Sequence, residues 1–287
     1  MKNTLQKRLL VIALFIASFP SMADTAIVKA IRFSSHGDLL AGSLVLPETG
    51  AITKAVVFVH GSGEQKRSLS LAKYFAKAGI AALVYDKRGV GQSEGEYEGR
   101  QSVSEKNIEL LADDAAAALN VLATHSATKT AMLGLTGISQ AGWIVPLAAE
   151  KTDLADFIVL WSAPVCKVSE EDIFSKYTAD KDTQTVPSFQ QALLARKREY
   201  VWPDFLGKDS NPSDNLSTIS IPGLWIFGAK DGSIPVDLSI ERLSALASAG
   251  HEYEYVLFSK LGHNNMPESF ATAVDWIHRL PENNDAD

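Results

Sequence analysis

The sequence predicts an α/β fold: a mainly parallel central sheet with helices on both faces, an antiparallel hairpin at the start and a helical cap insertion. Three observations predict it. Short apolar runs at 55–59, 80–85, 131–135, 157–161 and 223–227 are rich in Val, Ile, Leu and Phe without polar alternation, as strands buried on both faces are. Stretches of helical spacing lie between most of them, which favours parallel crossovers. From about 165 to 220 the composition turns polar and charged with helical spacing and no strand-like run, which marks an insertion over the strand ends.

The 287 residues suit one large domain, and 46% apolar with 21% charged residues is ordinary globular composition. A net charge of −7 argues against nucleic acid or an anionic membrane surface as partner. Lys2, Lys7 and Arg8 precede an apolar run at 9–19, with the small residues Ser21 and Ala23 at cleavage positions. Residues 1–23 therefore read as a signal peptide, too short to span as a helix, with Asp24 opening a mature domain of residues 24–287. An uncleaved anchor is the alternative; the expectation is a periplasmic or secreted protein. The lone Cys166 excludes an internal disulfide and reads as a small, inert apolar residue.

Residues 27–33 and 39–46 read as the hairpin, with His36 a solvated residue of its turn. The strand at 55–59 runs into His60-Gly61-Ser62-Gly63, whose glycines let the backbone aim N–H groups beyond the sheet edge. A plain glycine turn is the other reading. Residues 70–79 form a helix closed by Gly79, and 80–85 the next strand. The stretch from Asp86 to Gly95 (DKRGVGQSEG) has neither the spacing nor the following helix of a dinucleotide loop, so Asp86 and Arg88 read as a structural ion pair or capping set. A long Ala/Leu-rich helix spans 103–125, with His125 at its solvated end.

Residues 131–150 organise the rest. An apolar strand passes through Gly137-Ile138-Ser139-Gln140-Ala141-Gly142 into a helix, the setting of a nucleophile elbow. Such a serine stands on a sharp turn, so the residues two before and two after it must be small; Gly137 and Ala141 are, and Gly142 gives slack beyond. A tight turn without chemistry is the alternative. In the insertion, Tyr200 and Trp202 either line a substrate pocket or pack the cap. Beyond it, the strand 223–227 ends before Asp231, a helix spans 236–250, the strand 253–258 ends before His263, and a helix at 267–280 closes the chain.

Ser139, Asp231 and His263 thus stand beyond carboxyl ends of strands, the edge where parallel sheets bind ligands. A serine hydroxyl becomes a nucleophile when an imidazole takes its proton, and the imidazole needs a carboxylate to hold its tautomer.

In these residues the chain resembles the α/β-hydrolases, and more narrowly their bacterial esterase and dienelactone-hydrolase-like branch. The matching residues are His60-Gly61-Ser62-Gly63, Asp86 with Arg88-Gly89-Val90-Gly91, Gly137-Ile138-Ser139-Gln140, Gly228 with Asp231, and Gly262-His263, spread over about 27–280. Ala141 departs from the commoner glycine, and dienelactone hydrolases proper carry cysteine where Ser139 stands, so their substrate is not implied. The resemblance implies the α/β-hydrolase fold, with Ser139 as nucleophile, His263 as general base and then acid, and Asp231 as its orienting carboxylate. It also implies an oxyanion hole from the backbone N–H groups of Gln140 and Ser62. The expected activity is carboxylic ester hydrolysis through an acyl-enzyme, without metal or organic cofactor, on a small-molecule ester. The alternatives are an aminopeptidase or acyl-peptide hydrolase, with Glu170, Glu171 or Asp172 meeting a substrate amine, and a non-catalytic binding protein on the same fold.

Overall fold

The computed structural model describes residues 26–99, 102–196 and 198–281. The signal segment read at 1–23 lies outside the described residues. No described helix is long and apolar enough to cross a membrane.

Strands β1 (Ile27–Ser35) and β2 (Asp38–Leu46) form the antiparallel hairpin, closed by His36-Gly37 with both residues at positive φ. His36 is more than a solvated turn residue: its Nε2 lies 2.6 Å from Asp113, tying the turn to a helix. Strand β3 (Lys54–Val59) is wholly buried, as its unbroken apolar run requires. Helix α1 (Leu69–Lys77) starts at Ser68, whose hydroxyl accepts from Leu71 N–H, and stops before Gly79 at φ 80°. Strand β4 (Ala81–Tyr85) follows, then helix α2 (Glu105–Thr124), capped by Ser104. Next come β5 (Met132–Ile138), α3 (Ala141–Glu150) and β6 (Phe157–Trp161). The insertion between β6 and the next strand holds α4 (Val168–Thr178), α5 (Phe189–Ala195), a 3₁₀ turn at Asp204–Leu206 and α6 (Pro212–Leu216). The chain then runs through β7 (Gly223–Gly228), α7 (Val236–Ser248), β8 (Tyr253–Phe258) and α8 (Met266–Arg279).

The strands form one eight-stranded sheet in the order β1-β2-β4-β3-β5-β6-β7-β8. It is parallel from β4 to β8 and antiparallel where β1 and β2 join. One core lies under α2, α3 and α7 (Leu111, Ala115, Ile144, Leu243); the other lies under α1 and α8 (Phe75, Trp276, Ile277). Strand β5 sits centrally and extends three residues beyond its apolar run. Thr136 can be strand there because its buried hydroxyl donates to Val57 O at 3.1 Å.

Asp86 and Arg88 do not pair with each other. Asp86 accepts from Arg67 N–H at 2.8 Å and Gln92 N–H at 2.9 Å, bracing the loops on either side of β4. Arg88 points the other way, onto Asp38, Ser35 O and the fully buried Asp114 of α2. Both lie beyond the end of β4, where the chain has left the strand, so each braces a different set of neighbours.

Candidate active site

Ser139 follows β5 at φ 55°, a left-handed conformation that a serine adopts only when its surroundings impose it. Those surroundings are tight. A Cβ on Gly137 would come within 2.4 Å of Ala141 Cβ and 2.8 Å of Val59 O, so the alanine fits because position 137 has no side chain. Gly142 supplies no slack: a Cβ there would meet the backbone of Pro164 at 2.6 Å, so it lets α3 press against the segment leaving β6.

The turn carries Ser139 to His263. His263 Nε2 lies 3.0 Å from Ser139 Oγ, and His263 Nδ1 lies 2.8 Å from Asp231 Oδ2. Asp231 is wholly buried, and its other oxygen accepts from Ser233 N–H at 2.9 Å and Ile234 N–H at 3.1 Å. With both carboxylate oxygens committed, the imidazole has one orientation. Burial pulls the His263 pKa down. The hydrogen bond and charge of Asp231, with Asp182 and Glu171, outweigh it and hold the pKa above 6.5. Asp237, a nearby carboxylate, lies in the first turn of α7 and accepts from Phe189 N–H at 2.9 Å.

The insertion is fastened to the loops carrying Asp231 and His263. Asp182 accepts from Gly232 N–H and from His263 N–H, both at 3.1 Å, and Thr183 N–H donates to Lys230 O at 3.1 Å. Glycine is required on the receiving side, because a Cβ on Gly232 would lie 2.0 Å from Lys181 O.

Gln140 is completely buried. Its side chain is held at both ends, Oε1 accepting from Lys87 Nζ at 2.8 Å and Nε2 donating to Ser102 O at 2.6 Å. Lys87 also donates to Gly61 O at 2.9 Å and Gly63 O at 3.3 Å. It is 2% exposed, and burial lowers its pKa to about 8. Keeping that ammonium inside costs about 3 kcal/mol at neutral pH. His60 is likewise buried, and its Nε2 donates to Tyr85 O at 2.6 Å. Burial first and Lys87 second lower its pKa to about 4, so it is neutral here. Among the described residues, the backbone N–H groups of Gln140 and Ser62 have no protein acceptor.

The acidic start of α4 is differently occupied. Glu170 pairs with Arg242 at 2.6 Å, and Asp172 with Lys176 at 2.5 Å. Glu171 is largely buried without a side-chain hydrogen bond; burial, then Asp172 and Asp180, push its pKa up to about 8. The two aromatic residues read as pocket candidates lie apart. Trp202 donates to Gly207 O at 2.7 Å and packs against the core under α2 and α3. Tyr200 packs with Ile173, Phe174 and Ala192, 5.5 Å from the Lys176 ammonium. Neither hydrogen-bonds to Ser139, Asp231 or His263. Cys166 is fully buried, and burial pushes its thiol well up. Among the described residues, no group of three or more His, Cys, Asp or Glu side chains could hold a metal ion.

Residues 50–218 match the family described as serine aminopeptidase, S33. The chain belongs to that family, within the α/β-hydrolases. The matched segment carries Ser139, Gln140, Ser62 and Lys87 of this hydrolase; Asp231 and His263 lie beyond it. A polyketide transferase of Penicillium crustosum is 32% identical over 111 residues, 39% of the hydrolase chain, which spans a third (33%) of that relative's length. Among solved structures, a Pyrococcus furiosus esterase is similar with a TM-score of 0.64 at 18% identity, covering 89% of each chain. An acylaminoacyl peptidase of Pyrococcus horikoshii gives 0.67 at 18% identity, covering 93% of the hydrolase and 43% of the peptidase. Acetyl xylan esterase 1 of Thermoanaerobacterium gives 0.64 at 14% identity over 91% and 85%. At these identities the likeness is one of fold.

Four site features had little signal in the sequence. Lys87 stands between Asp86 and Arg88 without a role of its own, and Asp182 is one polar cap residue among many. Ser162, at φ 42° after β6, accepts from Asn265 Nδ2 at 2.9 Å; both are fully buried behind the His263 loop, and neither falls in a motif.

Proposed function

We propose that the protein hydrolyses carboxylic esters through an acyl-enzyme on Ser139. The observation that carries this is the unbroken line from Ser139 Oγ through His263 to buried Asp231, at 3.0 and 2.8 Å. His263 takes the serine proton as Oγ attacks the ester carbonyl, then returns it to the departing alcohol. Water, deprotonated by the same imidazole, releases the acid. Asp231 holds Nδ1–H toward itself so that Nε2 faces the serine. The free N–H groups of Gln140 and Ser62 receive the negative oxygen of the tetrahedral intermediate.

Ester rather than amine-directed peptide chemistry is favoured by the start of α4. Glu170 and Asp172 are spent on Arg242 and Lys176, and Glu171, with a pKa of about 8, is mostly protonated at neutral pH. No ready anion there meets a substrate ammonium. Glu171 also supports the second reading, an aminopeptidase or acyl-peptide hydrolase. It is the unpaired carboxyl in the field of His263 and Asp231, and a bound amine would ionise it. Paired assays decide: p-nitrophenyl esters turned over far faster than aminoacyl and acylaminoacyl p-nitroanilides support the esterase, and the reverse order overturns it. A fluorophosphonate probe that fails to label Ser139 would leave only a binding protein on this fold.

Export completes the proposal. The basic start, the apolar run and the small residues Ser21 and Ala23 support a periplasmic or secreted enzyme beginning at Asp24. Mass spectrometry of the exported protein should give Asp24 as its N-terminus; full-length chain recovered only with membranes overturns this.

A further inference from the structure

We propose that Lys87 is a positioning residue for the oxyanion hole, one buried ammonium setting the direction of both N–H donors. The proposal rests on the acyl-enzyme reading above. It deepens that reading by naming a residue outside the Ser-Asp-His line on which transition-state stabilisation depends.

The geometry comes first. Lys87 Nζ donates to Gly61 O at 2.9 Å, Gly63 O at 3.3 Å and Gln140 Oε1 at 2.8 Å. These are all three of its protons. Gly61 O and Ser62 N–H belong to the same planar, trans peptide unit. Holding the carbonyl oxygen toward Lys87 therefore turns the Ser62 N–H to the opposite side, away from the ammonium. Gly61 has no side chain to resist rotation of this peptide, so its direction depends on such anchors. Gln65 adds a second tether, donating from Nε2 to Ser62 O at 2.7 Å.

The other donor is anchored through its own side chain. Gln140 is pinned between Lys87 and Ser102 O, and its backbone N–H is the one next to the nucleophile. The loop after β3 and the elbow after β5 come from different strands, and a single cation bridges them. Two N–H groups that must converge on one oxygen are thus registered to each other. The charge acts in the same direction: a cation on a carbonyl oxygen draws electrons through the amide and makes its N–H a stronger donor. Lys87 neither gives nor takes a proton in the reaction. A lysine 2% exposed and enclosed by carbonyl acceptors is poorly explained by packing, for which leucine or methionine suffices.

The test uses the full-length enzyme and p-nitrophenyl acetate, comparing wild type with Ser139→Ala, Lys87→Met and Gln140→Met. Methionine matches glutamine in length, falls one atom short of lysine, and removes the link at either position. Loss of one oxyanion donor costs about 10²–10³ in kcat. Misdirecting two without removing them should lower kcat about 10- to 100-fold in Lys87→Met, with KM within about threefold. A trifluoromethyl ketone, which becomes a charged hemiketal on Ser139, should lose affinity by the same factor as kcat/KM. Gln140→Met keeps its backbone N–H yet should lose about tenfold, and the double variant should lose less than the product of the two.

Turnover by Lys87→Met within twofold of wild type, or a fall in melting temperature with kcat and ketone affinity unchanged, overturns the assignment. Where Lys87→Met does not fold, Gln140→Met decides alone: a tenfold loss in kcat supports the link and an undiminished kcat overturns it. Turnover that survives Ser139→Ala, or its absence from the wild type, overturns the acyl-enzyme reading itself. Turnover that is Ser139-dependent but indifferent to Lys87 overturns only this proposal.

Discussion

Ser139 holds its hydroxyl on a left-handed backbone, and the imidazole beside it is useful only while unprotonated. Asp231 and Asp182 both favour the protonated form of His263. With the folded pKa held above 6.5, kcat/KM should fall as the pH drops through that raised value. Asp182→Asn removes one of the charges that raise it, so the acid limb of a kcat/KM profile should move to lower pH; an unmoved limb would show that Asp182 does not help set it. Asp231→Asn should cost on the order of 10⁴ in kcat, because the amide favours the wrong tautomer. Ser139→Ala combined with His263→Ala should be hardly worse than either alone, since the two act as one unit. Single-turnover measurements on the four variants check both expectations.

At the scale of elements, the elbow is governed by what is missing from its glycines. Gly137→Ala places a methyl group 2.4 Å from Ala141 Cβ, and Gly142→Ala places one 2.6 Å from Pro164 O. Each should destabilise the fold by about 1–3 kcal/mol, read as a lower denaturant midpoint. Adding Ala141→Gly to Gly137→Ala should recover only part of the loss, because the clash with Val59 O at 2.8 Å remains.

These elements also show what the sequence discloses and why it stops. Strands β3, β4, β6 and β7 were legible because burial on both faces demands unbroken apolar runs. The ends of β3 and β7 were legible from the glycines at and beyond them, and so was the meeting of Ser139, Asp231 and His263. The last three residues of β5 were not, since the apolar run breaks at Thr136 and Gly137 and their place in the strand is set by pairing with β3 and β6, distant in sequence. Lys87 was invisible for a related reason. Its acceptors come from the loop after β3 and the elbow after β5, and only the finished sheet brings them together around it. The insertion was legible as helical and polar, but nothing in its composition marked Asp182 as the residue that reaches the His263 loop.

For the molecule as a whole, His60 makes stability depend on pH. Its pKa falls from 6.5 to about 4 on folding, chiefly through burial. Below pH 6.5 the unfolded chain takes up a proton that the folded one refuses, so stability declines as the pH falls and the loss is complete near 4. The whole effect is worth about 3 kcal/mol. His263 works in the opposite sense: its raised pKa adds stability that is present below 6.5 and lost as the pH rises through the folded value. Urea unfolding of wild type and His60→Gln between pH 7 and 4 should separate the two. The slope assigned to His60 disappears in the variant, and equal slopes would remove the assignment.

The fastening of residues 181–183 to Gly232 and His263 bears on how such a protein can be remodelled. Parts of the insertion, α5 included, could be traded for another sequence to change what enters the site; α6 could not, since its Leu216 is fully buried in the core under α2, α3 and α7. Lys181, Asp182 and Thr183 are not tradable in that way, because they are the far wall of the loops that carry the acid and the base. A graft that replaced everything from 165 to 220 would misplace the catalytic imidazole along with the substrate. One that spared these three residues and α6 would alter selectivity and leave the chemistry standing. The seam between scaffold and specificity therefore runs through the inside of the cap, not along its borders.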